Sequence, residues 1–178
     1  NHDGVIDSND QAPIGYNPVP EMTFSLAAGL NWKGIDFSIL LQGAARSSIY
    51  LQQDIAWDNF WGNYYEEHIG RWTPETAATA TYPRFTKAAT PAHPNYYKSD
   101  YWLKDSKYLR LKNIQLGYTI PRKLLKKFGV RSLRVYANAY NLFTWDNVKK
   151  VDPESSNNSN GQFYPQQKVI NFGINLNF

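Results

Sequence analysis

The chain has 178 residues, of which 42% are hydrophobic and 19% charged, a balance that excludes a disordered tail or a highly charged helical bundle. Cysteine is absent, which excludes a disulfide framework, a thiolate zinc site and a cysteine nucleophile. The net charge of +4 is small and no long basic run indicates nucleic acid, while no apolar stretch approaches the roughly 20 residues of a transmembrane helix.

The first ten residues follow the pattern of a calcium-binding loop, D-x-[DN]-x-[DN]-G-x5-E. The ligands that this alignment assigns are Asn1, Asp3, the carbonyl of Val5, Asp7 and Asp10. Oxygen ligands suit Ca²⁺, and Gly4 allows the sharp turn that directs them inward. We therefore expect a structural Ca²⁺ site here, with an Asx-rich surface turn as the alternative. The first ligand of the loop falls before residue 1, so we expect the natural chain to begin earlier.

Residues 23–42 alternate between apolar and small or polar side chains on both sides of a tight turn. The apolar positions are Phe24, Leu26, Ala28, Leu30 and Trp32, followed by Ile35, Phe37, Ile39 and Leu41. A period of two places each set on one face of a strand. Lys33-Gly34 supplies a two-residue turn, because glycine tolerates the positive φ that such turns need. The segment is predicted to be a β-hairpin.

Residues 109–142 predict a second pair of strands joined by a short helical connection. Leu109 and Leu111 have the opposite parity to Ile114, Leu116 and Tyr118, which indicates a bulge near Lys112-Asn113. The second strand of the pair alternates over 132–142. Between the two strands, a proline at position 121 and a glycine at position 129 are the usual start and stop signals of one or two helical turns.

The last ten residues alternate without interruption up to an aromatic end. Ile170, Phe172, Ile174, Leu176 and Phe178 share one parity, and the other parity is small or polar and includes three asparagines. A soluble sheet or a membrane barrel can each give such a pattern. The terminal phenylalanine favours the barrel, since this ending resembles the C-terminal signal that the barrel-assembly machinery of bacterial outer membranes recognises. Phe178 is therefore a candidate assembly signal.

Connections between the predicted strands alternate in length. Short connections follow Trp32 and Thr119, whereas the stretches 43–108 and 143–168 are long. Outer-membrane barrels have short periplasmic turns and long extracellular loops, so the pattern predicts extracellular loops at 1–22, 43–108 and 143–168. It also places three aromatic residues at periplasmic strand ends. Five strands are too few to close a barrel, so we expect an all-β fold: the last strands (23–42, 109–142 and 169–178) of a larger transmembrane antiparallel barrel.

Several motifs resemble one family of transporters. They are the run 3–20, with its Asp3-Gly4-Val5-Ile6-Asp7 and Pro18-Val19-Pro20, the run 108–121 and the run 135–144. Together they resemble the SusC/RagA family of TonB-linked outer-membrane transporters of Bacteroidetes, and the similarity covers nearly the whole chain.

The resemblance implies a fold and a function. The barrel of that family has about 22 strands around a plug, and such a barrel forms a complex with a SusD-like surface lipoprotein. It implies import of oligosaccharides or peptides across the outer membrane, energised through TonB. The plug and the TonB-contacting segment lie outside these residues.

No catalytic site is predicted, because no nucleophile elbow, phosphate loop or zinc signature is present, and we expect that the chain is not an enzyme. Aromatic residues crowd the long loop, and five of them are candidates for contact with a sugar: Trp57, Trp61, Tyr64, Tyr65 and Trp72. The alternative, which we favour, is that these rings pack within the loop and against a partner. The basic stretch 122–127 is interpreted as a solvated periplasmic surface, too short for a nucleic-acid site.

Two other interpretations stay open. A soluble, secreted, carbohydrate-binding β-domain with structural calcium explains both the aromatic residues and the alternation. A small outer-membrane barrel with a structural or adhesin role explains Phe178 but needs three more strands.

Overall fold

The structure is a computed structural model, and it describes Gly4 and residues 8–87, 93–149, 151–155 and 164–178. Its strands are β1 (Met22–Trp32), β2 (Ile35–Ala45), β3 (Ser48–Tyr50), β4 (Leu103–Asp105), β5 (Tyr108–Thr119), β6 (Ser132–Asp146) and β7 (Val169–Asn177). Helix α1 spans Arg122–Leu125, and 3-10 helices span Ser8–Asp10, Gln53–Ile55, Glu66–Gly70, Pro94–Tyr96 and Lys126–Phe128. None of the helices in the described residues is long and apolar enough to cross a membrane.

The chain divides into two compact units. The sheet unit comprises residues 20–45, 107–147 and 165–178, and the loop unit comprises residues 1–19, 46–106 and 148–164. The alternating segments thus gather in one unit, and most of the three predicted loops gather in the other.

The sheet unit is a five-stranded antiparallel meander with the order β1-β2-β5-β6-β7. Its strands extend further toward the long connections than the alternation predicted: β2 continues to Ala45 and β6 to Asp146. The sheet does not close into a barrel within the described residues, where β1 and β7 each pair on one side only. The all-β, antiparallel part of the prediction is confirmed.

The register of β5 shifts at Lys112. Leu40 pairs with Asn113 and the next residue, Leu41, pairs with Leu111, so Lys112 is an additional residue relative to β2. The shift lies where the change of parity predicted a bulge. Because one extra residue reverses the parity, Leu109 and Leu111 return to the same face as Ile114.

Both short connections have the local chemistry that the sequence indicated. Lys33 and Gly34 form the β1–β2 turn with φ of 47° and 90°, values suited to a tight hairpin. The Gly34 carbonyl accepts a hydrogen bond of 2.7 Å from the Thr119 amide. At the other connection, Gly129 ends the 3-10 helix in the left-handed region at φ 68°.

An ion pair crosses three strands on the face of the sheet that carries the small and polar side chains. Arg134 in β6 donates to both carboxylate oxygens of Asp36 in β2, at 2.9 and 2.5 Å. The pair passes over Gly117 in β5, where a Cβ atom would lie 2.5 Å from the Arg134 Nη2 and from the Asp36 oxygens. Glycine at this position therefore leaves the space that the ion pair occupies.

Substitution of Gly117 tests this arrangement. Gly117→Ala is expected to displace the Arg134 guanidinium and to lower the thermal unfolding temperature of the purified protein. Gly29→Ala is the matched control, because a Cβ there meets only ordinary van der Waals contact at 3.6 Å from the Phe37 carbonyl oxygen. The control should stay within about 0.5 kcal/mol of the parent. Equal unfolding temperatures for the two variants would contradict the steric argument.

Candidate functional site

The register aligns the apolar positions of all five strands on one face of the sheet. One row across the sheet is Leu30, Phe37, Leu116, Ala137 and Phe172; the next row is Ala28, Ile39, Ile114, Ala139 and Ile170. Toward the short turns, a further row consists of Trp32, Ile35, Tyr118, Val135 and Ile174. We call this face the apolar band.

Much of the apolar band is exposed. Phe172 is 83% exposed and Ile174 is 70% exposed, and every residue of β1 is exposed. A core-facing sheet in water buries such a face, because each buried aliphatic or aromatic side chain stabilises the fold by roughly 1.5–3 kcal/mol. A continuous apolar surface of this extent indicates contact with another apolar phase or another protein.

The opposite face carries short polar side chains that hydrogen-bond across strands. The Nδ2 atom of Asn171 donates to the Oδ1 atom of Asn138 at 3.0 Å, and Asn177 donates to the Ser132 hydroxyl at 2.7 Å. The ion pair between Asp36 and Arg134 lies on the same face. We call this surface the polar face.

The strand lengths and the sheet edges match a membrane wall. The five strands have 9 to 15 residues, and a tilted transmembrane strand needs about 9–11. The long edges of β1 and β7 present unpaired amide and carbonyl groups within the described part of the chain. Open edges of this kind promote aggregation in water and are not tolerated in lipid.

The loop unit is built around a cluster of aromatic and aliphatic side chains. Its buried members are Ile49, Leu51, Ala56, Trp57, Tyr82, Tyr96, Trp102 and Val148. The short strands β3 and β4 pair only with each other, in a separate two-stranded sheet. A packed core of this size makes the long loop a folded unit rather than an unstructured connection.

A carboxyl group lies inside this aromatic cluster. Asp58 is 1% exposed, and it accepts hydrogen bonds from the hydroxyl groups of Tyr96 and Tyr82 and, at 3.1 Å, from the Thr86 amide. The single Tyr82 hydroxyl proton is shared between Asp58 and the Ala56 carbonyl oxygen, which lies 2.9 Å from the Tyr82 hydroxyl oxygen. Burial first and the Asp58 carboxyl second raise the pKa of both Tyr82 and Tyr96 well above the ordinary value. Both phenols therefore keep the O–H donors that Asp58 requires.

His68 has a structural environment. Its side chain is buried, its Nδ1 atom accepts a hydrogen bond from the Tyr65 amide, and its Nε2 atom lies 3.2 Å from the Ala56 carbonyl oxygen. Both ring nitrogens thus contact the backbone. The geometry of His68 therefore leaves neither ring nitrogen directed at a metal.

Curated relatives cover the whole chain. No family model matches the sequence. TonB-dependent receptor P26 of Formosa agariphila is 30% identical over all of this chain, which spans 19% of that protein. TonB-dependent receptor SusC of Bacteroides thetaiotaomicron is 27% identical, again over the whole chain and 17% of the receptor.

The chain is similar over its whole length to TonB-dependent receptors, SusC among them.

Solved structures share the fold. The RagAB peptide importer in its open-open state matches 98% of this chain and 19% of its own with a TM-score of 0.73 at 22% identity. A second structure, of the RagAB peptide transporter, matches with a TM-score of 0.70. The family resemblance drawn from the sequence motifs is confirmed. The chain spans about a fifth of the length of these relatives. Since the relatives are receptors and transporters, which are not enzymes, the expectation that the chain is not an enzyme is also confirmed.

The candidate calcium ligands fall largely outside the described residues. Asn1, Asp3, Val5 and Asp7 lie there, while Asp10 is exposed at the end of a 3-10 helix. Among the residues that the structure does describe, no group of three or more His, Asp or Glu side chains is placed to hold a metal ion. The Ca²⁺ site stays a prediction.

The five candidate sugar-contact residues separate into two groups. Trp57 is 2% exposed and packs against Phe60 and Tyr96, so we now assign its ring to packing. The other four reach the surface, most of all Trp61, which is 83% exposed. Trp72 lines a shallow cleft together with Arg71, Arg84 and Phe85.

The Asp58 cluster was not predictable from the sequence, and the sequence held only a partial signal for the ion pair on the polar face. Asp58, Thr86 and Tyr96 are far apart in the chain, and only the folded loop unit brings them together. For Asp36 and Arg134 a signal was present in the alternation, since each residue stands at a position that points to the polar face of its strand. Their pairing nevertheless requires the strand order and the register.

Asp58→Asn is expected to destabilise the loop unit by about 1–3 kcal/mol. The two carboxylate oxygens of Asp58 together accept three hydrogen bonds, and the substitution replaces one of these oxygens by an NH₂ group, which cannot accept. This loss of stability is measured as faster hydrogen exchange over residues 46–106 of the purified, full-length protein. Asp100→Asn, at an exposed position, is the control and should change stability by no more than about 0.5 kcal/mol. Unchanged protection in the Asp58 variant would show that the carboxylate is not needed.

Proposed function

We propose that this chain forms part of the barrel wall and the surface loops of a TonB-dependent outer-membrane transporter that imports oligosaccharides or peptides. The observation that carries the proposal is the exposed apolar band on one face of a sheet whose other face is polar. In a barrel wall the apolar band contacts lipid and the polar face lines the lumen. The homology to SusC-type receptors supports the same assignment.

The proposal extends to the rest of the transporter. The unpaired edges of β1 and β7 are expected to join further strands of a barrel of about 22 strands, the number that the family resemblance implies. A SusD-like surface lipoprotein and TonB are the proposed partners, the latter through regions outside this chain. The RagAB structures, whose fold this chain shares, are described as a peptide importer, and SusC is a TonB-dependent receptor.

The loop unit is the proposed surface for ligand and lipoprotein. It offers exposed aromatic rings at Trp61, Tyr64, Tyr65 and Trp72, which suit stacking on a sugar ring or packing against a partner protein. Its buried core, by contrast, serves to hold these rings in place. Phe178 remains the proposed assembly signal for the final strand, and its substitution by alanine should lower the yield of barrel in the outer membrane.

Two neighbouring positions of β5 test which face meets lipid. Ile114→Lys places a charge at mid-height of the apolar band, where it should cost about 2–4 kcal/mol and sharply reduce the amount of protein in the outer-membrane fraction. Gln115→Lys adds the same charge on the polar face and should leave that amount near the parent level. Quantitative immunoblotting of membrane fractions measures both. Similar losses in both variants, or in neither, would overturn the assignment of the faces.

Fractionation of the unmodified protein tests the function more broadly. The native species should require detergent and have an intact mass about five times the 20.5 kDa of this sequence, since the chain spans 19% of its relative. A soluble species of 20.5 kDa would instead favour a secreted carbohydrate-binding β-domain.

We further propose structural Ca²⁺ in the segment 1–10, on the loop pattern of its acidic residues. Removal of Ca²⁺ with a chelator should increase hydrogen exchange in residues 1–19 of the full-length protein, and readdition of Ca²⁺, but not of Mg²⁺, should restore protection. In an Asp3→Asn/Asp7→Asn variant the chelator should have no effect. Equal exchange with and without Ca²⁺ in the parent would show that the segment is an ordinary Asx-rich turn.

A further inference from the structure

One end of the sheet unit carries a concentrated positive charge. The connection between β5 and β6, residues 120–131, contains Arg122, Lys123, Lys126, Lys127 and Arg131 and no acidic residue, and we call it the basic turn. All five of these side chains belong to exposed residues. Within the part of the chain that the structure describes, none of them forms an ion pair. Their charge is therefore available to an external anion.

The basic turn is attached firmly to the sheet. The Ile120 amide donates to the Leu133 carbonyl at 2.9 Å, and the Arg131 amide donates to the Asn177 carbonyl at 2.8 Å. Leu125 is buried and anchors α1. These contacts fix the height of the basic residues at the end of the strands, immediately beyond the last row of the apolar band.

Two large apolar side chains lie among the charges. Leu124 is 65% exposed and Phe128 is 76% exposed, although a solvated turn gains nothing by presenting either of them to water. A second turn adds to the same end of the sheet: Lys33 lies 4.9 Å from the centre of the Trp32 ring, and Gly34 is hydrogen-bonded to Thr119. Exposed leucine and phenylalanine beside lysine and arginine are typical of segments that lie at a membrane surface.

We propose that the basic turn binds the phosphate groups of anionic glycerophospholipids at the edge of the membrane, with Leu124 and Phe128 inserted among the acyl chains. The inference rests on the proposed function, because the apolar band must first lie in the hydrocarbon region. The basic residues then stand at the level of the headgroups, where phosphates complement their charge. Lysine and arginine near an anionic membrane each strengthen binding about fivefold.

The experiment compares lipid retention by the full-length transporter and by two variants. Each protein is purified from the outer membrane, placed in nanodiscs of phosphatidylethanolamine with a minor share of phosphatidylglycerol, then extracted in mild detergent and examined by native mass spectrometry. Lys126→Gln/Lys127→Gln removes two charges from the basic turn. The matched control, Lys87→Gln/Lys98→Gln, removes two exposed lysines of the loop unit.

The parent and the control should retain phosphatidylglycerol in preference to phosphatidylethanolamine. In the Lys126/Lys127 variant this preference should be at least about tenfold weaker. A higher salt concentration should weaken the retention of phosphatidylglycerol by the parent, and this is a second test that needs no variant. Equal retention of the two lipids by the parent, or equal loss in both variants, would overturn the inference. Retention of lipopolysaccharide instead of phosphatidylglycerol at this turn would also overturn it.

The outcomes separate the two proposals. If the parent protein is absent from the outer-membrane fraction, the proposed function fails, and the lipid site fails with it. If the protein assembles in the outer membrane but shows no preference for phosphatidylglycerol, only the lipid site fails.

Discussion

The register of the five antiparallel strands is the constraint on which the rest of the sheet unit depends. Each strand presents its apolar side chains on one face, and a slip of one residue between two strands would reverse the faces of one strand relative to the other. The two-residue turn at Lys33-Gly34 sets the register of the first pair, and the bulge at Lys112 corrects the parity of β5. The bulge thus keeps Leu109 and Leu111 on the apolar band, which extends over the height of the sheet.

The two faces of the sheet are stabilised by different physical effects. On the polar face, side-chain hydrogen bonds connect the neighbouring strands β6 and β7. The pair between Asp36 and Arg134 connects β2 and β6, which are not neighbours, and Gly117 leaves the space between them. Such a polar network restricts the register, because it forms only in one alignment. The apolar band lacks partners within the described residues, so its stabilisation depends on what covers it, and we propose lipid.

The loop unit is organised by burial rather than by alternation. Its aromatic cluster holds Asp58 away from water, and the carboxyl group is accommodated because two tyrosine hydroxyls and a backbone amide donate to it. The same aromatic composition thus has two roles. Rings such as Trp57 give the long connection a core, and exposed rings such as Trp61 offer a surface to a ligand or a partner.

The sequence by itself determined the five strands of the sheet unit, their apolar positions, the tight turn at Lys33-Gly34 and the bulge near Lys112, because a period of two and the demands of glycine are local properties of the chain. Its motifs also indicated the family. Only the tertiary structure decided which strands are neighbours across long connections, that Arg134 reaches Asp36 over Gly117, and which aromatic rings of the loop are buried. Those features join residues distant in sequence, and composition or spacing alone does not pair them; the register and the loop core bring the residues together.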